Sequence, residues 1–557
     1  MKRALVIQRL KFGDIAQTLP ALAALRSQHP DWEIWVLGRG HYVTLLERAK
    51  AIDRVVSTGP ECAVTNAAAV ERCAQDIVRD LPGDTWELVA NLSHDPVAGR
   101  VATLLPARSR SGLLVDARGE RSLAGDAVRY LFGAVGARRL GRIHLSDIYS
   151  WALGAQAQQV TSPLLEPNSE DLETVRSKLH AAGWDDSRQL VLFQLGTAAP
   201  ERRWPVHLFA RLGRMLATFP GIQIALIGSD DERALAEAYL QLAPGTALDL
   251  VGQIPIQELP ALSRLSTTLV GADTGPTHIA AAAGADVVGI YHATAWVHET
   301  GPYGEGHVVL QADLQCSPCF QRTACTEKPC AVAVQPEHVI QALVWRGILP
   351  EDEVPEEFLS APWTNVRAFA SEMQAWGVGY RQVAGEFAPA EELLAAANQA
   401  AAHELWFGTA GSVDAGFLRQ EELPGDSPFA EMRDLLALAE LADEGATYAG
   451  QILRSVRNVS KVGKKLNNLA RKLDDVDAGI RDLGNGAALV RSYLVETQKL
   501  LPGGDLVKMA RESEKAYATA AQWARLAAQW LERWVGEREE ANRGEAETER
   551  EAVAEIQ

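Results

Sequence analysis

A chain of 557 residues exceeds what a single hydrophobic core organises and divides into about three or more folding units. With 47% hydrophobic and 23% charged residues, each unit can bury a core unaided, which excludes wholesale disorder. A net charge of −18 excludes a general nucleic-acid-binding face, which has to be basic to displace counterions from phosphates.

The opening, MKRALVIQRLKFGD, has too few apolar residues before Lys11 and Asp14 to form a signal-peptide core. The greasiest stretch, Ile279–His292, carries Asp286 and is shorter than the roughly 18 apolar residues of a spanning helix. A cytosolic protein is expected. The first elements alternate: a strand at Ala4–Arg9, a turn at Gly13, a helix from Thr18 to Gln28, a strand at Trp32–Leu37, helical Tyr42–Ala49, and strands at Arg54–Ser57 and Leu88–Leu92. That rhythm is the one parallel βαβ sheets produce. Residues 155–170 are polar and turn-rich and read as a linker. A second alternating series follows, with strands at Leu190–Leu195, Gln223–Ile227, Thr268–Gly271, Asp286–Ile290 and Val308–Leu310. Two doubly wound α/β halves facing a cleft account for both series.

Composition shifts near residue 350. Lys and Arg number 32 against 36 Asp and Glu through Pro350, a balance of −4, and 22 against 36 beyond it, a balance of −14. Past that point the strand signal fades into alanine-rich helical text. Ile452, Val456, Val459, Gly463, Leu466, Ala470 and Leu473 follow an a/d heptad spacing, continued loosely by Val476, Ile480 and Leu483, which suggests helix-on-helix packing or self-association. The basic residues of Arg454–Lys472 form either a solvated face or one that attracts an anionic membrane surface. A last helix starts at the Asp505 cap, buries Trp523, Leu526, Trp530 and Trp534, and frays over Glu537–Gln557. The expected domains are therefore 1–160, 161–348 and a helical extension, 349–557.

Three turns carry candidate chemistry. Gly271-Ala272-Asp273-Thr274-Gly275-Pro276-Thr277-His278 follows a strand and opens a helix, where backbone N–H groups, hydroxyls and an imidazole can hold a phosphate; a plain Asx-type cap is the competing reading. Gly196-Thr197-Ala198-Ala199-Pro200-Glu201-Arg202-Arg203-Trp204-Pro205 places two arginines at another strand-to-helix turn, a geometry suited to a diphosphate or to ordinary surface charge. Glu232, in Gly228-Ser229-Asp230-Asp231-Glu232, can accept from ribose hydroxyls or cap a helix. Separately, Cys316, Cys319, Cys325 and Cys330 crowd into 15 residues. Such a loop suits a closed tetrahedral zinc or iron site, with free thiols as the alternative. Cys62 and Cys73 read as apolar filler.

Gly13-Asp14 in the first strand–turn–helix, Arg202-Arg203-Trp204-Pro205, and Asp273-Thr274-Gly275-Pro276-x-His278 together resemble the ADP-heptose:lipopolysaccharide heptosyltransferases, glycosyltransferase family 9, over residues 1–345. The resemblance implies a GT-B fold, two Rossmann-like domains with the acceptor on the first and the nucleotide sugar on the second, followed here by the all-α extension. It implies inversion without a catalytic metal, with Asp14 as general base. Gly13, Thr197, Arg202, Arg203, Glu232, Asp273, Thr274, Gly275 and His278 are then expected to bind the nucleotide sugar, ADP-heptose being favoured. Arg202 stands where the family carries a lysine, which keeps the charge and changes its geometry, and Ala198 lacks a hydroxyl that some members have. Similar cysteine loops occur in family members, and related protein-modifying heptosyltransferases bind iron there. The acceptor is either lipopolysaccharide core, at the inner membrane face, or a protein docked on the extension. Competing functions are a non-catalytic nucleotide-sugar-binding scaffold acting through the tail, and a nucleotide-sugar epimerase or hydrolase.

Overall fold

The computed structural model describes residues 2–59, 62–156, 163–320, 325–407, 427–456, 463–501 and 505–556. The chain forms two compact units, Met1–Ala117 with His144–Glu386, and Arg118–Ile143 with Phe387–Gln557. The helical unit is thus not a simple extension: it takes in a segment that the expected 1–160 domain had counted as its own.

In the first unit β1 (Arg3–Ile7), β2 (Glu33–Arg39), β3 (Arg54–Thr58), β4 (Trp86–Asn91) and β5 (Ala107–Val115) run parallel in the order β3-β2-β1-β4-β5. The Ala4–Ile7 run is fully buried, as a strand covered by helices on both faces has to be. Local text does not mark β5 as a strand, because exposed Arg108 and the half-buried Arg110 interrupt its apolar run. The helix of the first turn spans Phe12–Gln28, six residues longer than expected. The Asp14 carboxylate accepts the Lys11 N–H at 3.2 Å and so caps the earlier start.

A short β6 (Arg121–Ala124) belongs to the second unit. The larger sheet comprises β7 (Gln189–Gln194), β8 (Ile222–Ile227), β9 (Ala247–Asp249), β10 (Thr268–Gly271), β11 (Asp286–Tyr291), β12 (Val308–Ala312), β13 (Val366–Gln374) and β14 (Gly377–Ala384), ordered β14-β13-β12-β11-β10-β7-β8-β9. The first six are parallel and the last two antiparallel. Phe193, Leu226, Val270, Ile290 and Leu310 meet helix residues such as Phe209, Leu212 and Ile340 in one core.

β13 and β14 correct the expectation that text beyond 349 is helical. Val366, Ala368 and Phe369 are buried on the sheet, and Ala370 pairs with Val308. The hairpin is pinned from the helix Leu145–Ala152: Asp147 accepts the Val378 N–H at 3.1 Å and the Tyr303 hydroxyl at 2.7 Å. Burial outweighs both bonds and raises the Asp147 pKa to about 7. Gly377 has φ +137°, and a Cβ there would lie 2.3 Å from that carboxylate, so only glycine fits.

The second unit is helical. Helices Pro389–Phe407, Ser427–Val456, Gly463–Arg481, Ala488–Lys499 and Leu506–Ile556 pack with Asp126–Ala134. Tyr130, Trp406, Tyr493 and Trp523 form an aromatic cluster, and the Trp523 indole donates to the Asn398 carbonyl at 3.1 Å. Arg129 bridges to Asp126 and Glu512, each at 2.7 Å, and Arg142 to Glu392 at 2.9 Å. These partners come from the inserted segment and the C-terminal helices, which explains why the two pieces fold together.

Of the heptad seam, Val459 lies outside the described residues, as do Arg457 and Lys461 of the basic run. Ile452, Val456, Leu466 and Leu473 pack within the unit against Leu469 and Ala510, whereas Ala470 is exposed. The buried stripe Leu469, Val476, Ile480 follows the 3–4 spacing of an amphipathic helix packed inside its own unit. In the last helix Trp523 and Trp534 are buried while Leu526 and Trp530 are half-buried. That helix continues to Ile556 instead of fraying at Glu537, because its Glu, Arg and Ala text favours helix and pairs such as Arg533 with Glu537 at 2.9 Å support it.

Candidate active site

Parallel sheets collect functional groups where strands end and helices begin. In the first unit five such ends converge. β1 leads into Lys11 to Asp14, β7 into Gly196 to Arg203, β8 into Gly228 to Glu232, β10 into Ala272 to His278, and β11 into His292. The β1 and β10 turns touch: a Cβ on Gly275 would stand 3.2 Å from Phe12 Cβ, and one on Gly13 would stand 3.6 Å from His278 Cδ2. Both glycines permit this approach of one sheet's edge to the other's.

The helix Gly275–Ala283 starts at Thr274, which has extended backbone and makes no side-chain cap. Pro276 has no N–H, and the Thr277 N–H is taken by the Thr274 carbonyl at 3.1 Å. Among the described residues the Thr274 and Gly275 N–H groups make no backbone hydrogen bond, which leaves them available to an anion. Thr277 is not a ligand donor, since its hydroxyl donates to the Ala272 carbonyl at 2.7 Å.

Asp273 is the hub. Its Oδ2 lies 2.6 Å from Arg202 Nη1 and its Oδ1 2.9 Å from His278 Nε2. Burial works to raise its pKa, but the His278 hydrogen bond and the charges of His278 and Arg202 prevail and hold it below the ordinary carboxylate value. Arg202 Nε is buried without a partner among the described residues. Arg203 braces its own loop, donating to the Thr197 carbonyl at 3.3 and 3.1 Å, and the buried Thr197 hydroxyl is turned onto the Ala199 carbonyl. Glu232 accepts the Ser229 N–H at 2.9 Å and the Gln194 amide at 3.2 Å. A Cβ on Gly196 would collide with its carboxylate at 1.8 Å, so the glycine makes room for the acid at the edge of the sheet.

Asp14 is half-buried. Burial raises its pKa above 3.8, opposed by the Lys11 hydrogen bond and by His94 and His278. A carboxylate moved toward neutrality is a better proton acceptor at working pH.

Two neighbours went unread in the sequence. Gln17 lies 3.2 Å from His278; its place three residues beyond Asp14, on the same helix face, was the available signal. His292 is buried, and burial followed by the charge of Arg202 lowers its pKa to about 4, so it is neutral at pH 7. Nothing in its sequence context marked it beyond the preceding strand.

The cysteine loop packs beside this edge, the Cys319 N–H donating to the Ala293 carbonyl at 2.8 Å. The Cys319 thiol is pushed up to about 11 by burial and then by Cys316, Cys330 and Cys325. Cys330 is buried, and Cys316 and Cys325 are exposed. Among the described residues no group of three or more His, Cys, Asp or Glu is assembled to hold a metal ion.

Two Rossmann-like halves with facing strand ends define a GT-B glycosyltransferase fold, as in a solved family 9 glycosyl transferase from Veillonella parvula, 19% identical, with a TM-score of 0.50 over 62% of this chain and 98% of that one. Residues 150–330 match the family model Glycosyltransferase family 9 (heptosyltransferase), so the region holding the Arg202, Glu232, Asp273 and cysteine turns is heptosyltransferase-like. Lipooligosaccharide heptosyltransferase 2 of Haemophilus influenzae is 32% identical over 100 residues, 17% of this chain. The chain spans 29% of that relative's length. ADP-heptose lps heptosyltransferase II of E. coli is 15% identical, with a TM-score of 0.44 over 62% of this chain and 99% of that one. Among the described residues no helix is long and apolar enough to cross a membrane.

Proposed function

We propose that the chain transfers a heptose, or a related sugar, from ADP-heptose to an acceptor hydroxyl with inversion. The observation that supports this reading is the approach of Gly13 to Gly275 and His278, next to Asp14, whose pKa is raised and which feels the charge of His278. Asp14 takes the acceptor hydroxyl proton as its oxygen bonds to the anomeric carbon, and the bond from that carbon to the diphosphate oxygen breaks. Charge developing on the departing diphosphate meets Arg202, His278 and the Thr274 and Gly275 N–H groups. Glu232 serves the ribose, and Thr197, Arg203 and Asp273 hold the loops that present these groups. The acceptor is a lipopolysaccharide core or a protein, with the helical unit available for docking; no nucleic-acid partner is proposed.

A zinc or iron ion is also proposed for Cys316, Cys319, Cys325 and Cys330, in a structural role. Burial and then Cys316, Cys330 and Cys325 raise the Cys319 thiol, and a cation there would replace that repulsion with coordination. Replacing Cys316 and Cys319 by serine should then strip metal from the purified protein and lower its melting temperature. Unchanged stability with no metal in either protein would leave a plain thiol loop.

The donor is tested by thermal shift with ADP, UDP, GDP and CDP on wild type and Arg202→Ala. A ligand at 100 times its Kd stabilises by about 2.7 kcal/mol. Selectivity for ADP, with affinity reduced about 10–100-fold in Arg202→Ala through loss of a charge-assisted hydrogen bond, supports the reading. A response to UDP or GDP keeps the fold and discards heptose. Silence toward all four favours the scaffold reading.

A further inference from the structure

The polar chain of the site runs Arg202, Asp273, His278, Gln17. Gln17 is only 7% exposed and stands three residues beyond Asp14 on the same helix. Its amide end lies 3.2 Å from His278 Nε2, the same nitrogen that stands 2.9 Å from Asp273 Oδ1. A ring nitrogen facing a carboxylate bears the proton and cannot accept a hydrogen bond as well. The Gln17 atom that meets it is therefore the carbonyl oxygen, since amide oxygen and nitrogen are interchangeable in shape and are assigned by their partners. The NH2 group then occupies the other end of the amide, which is buried and where an oxygen would meet no donor among the described residues, as expected of a position that belongs to the donor.

A buried donor is stabilised when an acceptor meets it, and a bound ligand can bring that acceptor to this NH2 group. Its place in the sequence of contacts identifies the acceptor. At one end stands Arg202, a cation with a free Nε suited to phosphate; on the helix of Gln17 itself stands the base Asp14. In a displacement the sugar lies between its leaving group and its attacker, and an uncharged amide suits a hydroxyl better than a phosphate does. We infer that the Gln17 side chain binds a hydroxyl of the sugar being transferred, donating from its amide nitrogen while its oxygen stays on His278. This rests on the donor reading above and extends it from the nucleotide to the sugar.

Calorimetry with ADP and with ADP-heptose, on wild type and on Gln17→Met, separates the two ideas. Methionine keeps the length and removes the donors. The expected result is an ADP Kd within twofold of wild type, an ADP-heptose Kd weakened about three- to tenfold, as for one neutral hydrogen bond, and a transfer rate lowered further. Gln17→Glu keeps an oxygen toward His278 without an N–H donor and serves if Gln17→Met does not fold; it should lose the same sugar-dependent affinity. An ADP-heptose to ADP affinity ratio equal to that of wild type overturns the inference while leaving the donor reading intact. Wild type that binds ADP but not ADP-heptose overturns the donor reading and the inference with it.

Discussion

Asp14→Asn separates catalysis from stability at one position. The substitution keeps shape, and asparagine Oδ1 can still accept the Lys11 N–H that Asp14 accepts at 3.2 Å, so the helix start loses well under the roughly 1 kcal/mol that cap removal costs. What disappears is the proton acceptor. General-base catalysis contributes about 10²–10⁴-fold, or about 2.7–5.4 kcal/mol at about 1.36 kcal/mol per tenfold, and kcat should fall by that factor with ADP affinity unchanged. The pH behaviour follows from the raised pKa of Asp14. The active form is the ionised one, so wild-type kcat/KM declines as pH falls through a value above 3.8, and the variant lacks that limb. Stability moves the other way. A carboxyl whose folded pKa is raised binds its proton more tightly when folded, so its contribution to stability is present below the unfolded pKa and lost as pH rises through the folded one. At pH 7 the ionised side chain is a cost that asparagine does not carry, and Asp14→Asn should melt at or above the wild-type temperature, the difference vanishing below pH 3.8. Steady-state transfer with ADP-heptose and acceptor from pH 4 to 9, with melting curves over the same range, measures both. Transfer within tenfold of wild type, or a parallel loss of ADP binding, refutes the assignment.

The hairpin clasp gives two further expectations. Gly377→Ala forces a side chain onto the Asp147 carboxylate at φ +137° and should cost about 1–3 kcal/mol, read as a lower urea midpoint. Asp147, with its pKa raised from 3.8 to about 7, contributes stability that is present below pH 3.8 and declines as pH rises through about 7. Asp147→Asn, which can still accept the Val378 N–H, should flatten that decline, and an unchanged pH slope would show that Asp147 does not titrate as described.

The βα alternation was legible because parallel strands require continuous apolar runs such as Ala4–Ile7 and Val191–Phe193, and their ends named the turns that converge in the site. Two kinds of feature were not. The antiparallel hairpin β13–β14 carries Arg367, Glu372 and Arg381 among its apolar residues, so its identity as sheet depends on pairing with β12, a contact local text does not contain. The inserted segment Arg118–Ile143 reads as part of a Rossmann-like half; its partners Glu512 and Glu392 lie hundreds of residues away.

The same limit governs the site. Asp273, Thr274, Gly275 and His278 could be read as an anion-binding turn because a helix start is local, yet what Asp273 does is set by Arg202, 71 residues upstream. The guanidinium and the imidazole have a carboxylate between them. That carboxylate holds both groups in place and also competes for them, so on the proposed reading an incoming diphosphate gains only the difference between its own attraction and that of Asp273. An arginine fits this arrangement better than a lysine: its fork can stay on Asp273 through Nη1 while the unpartnered Nε turns to the ligand, whereas an ammonium is a single point of charge. On the proposed reading Arg202 and Asp273 therefore act as one element, with the hydrogen-bonding geometry of the arginine determining how much of its charge remains for the leaving group.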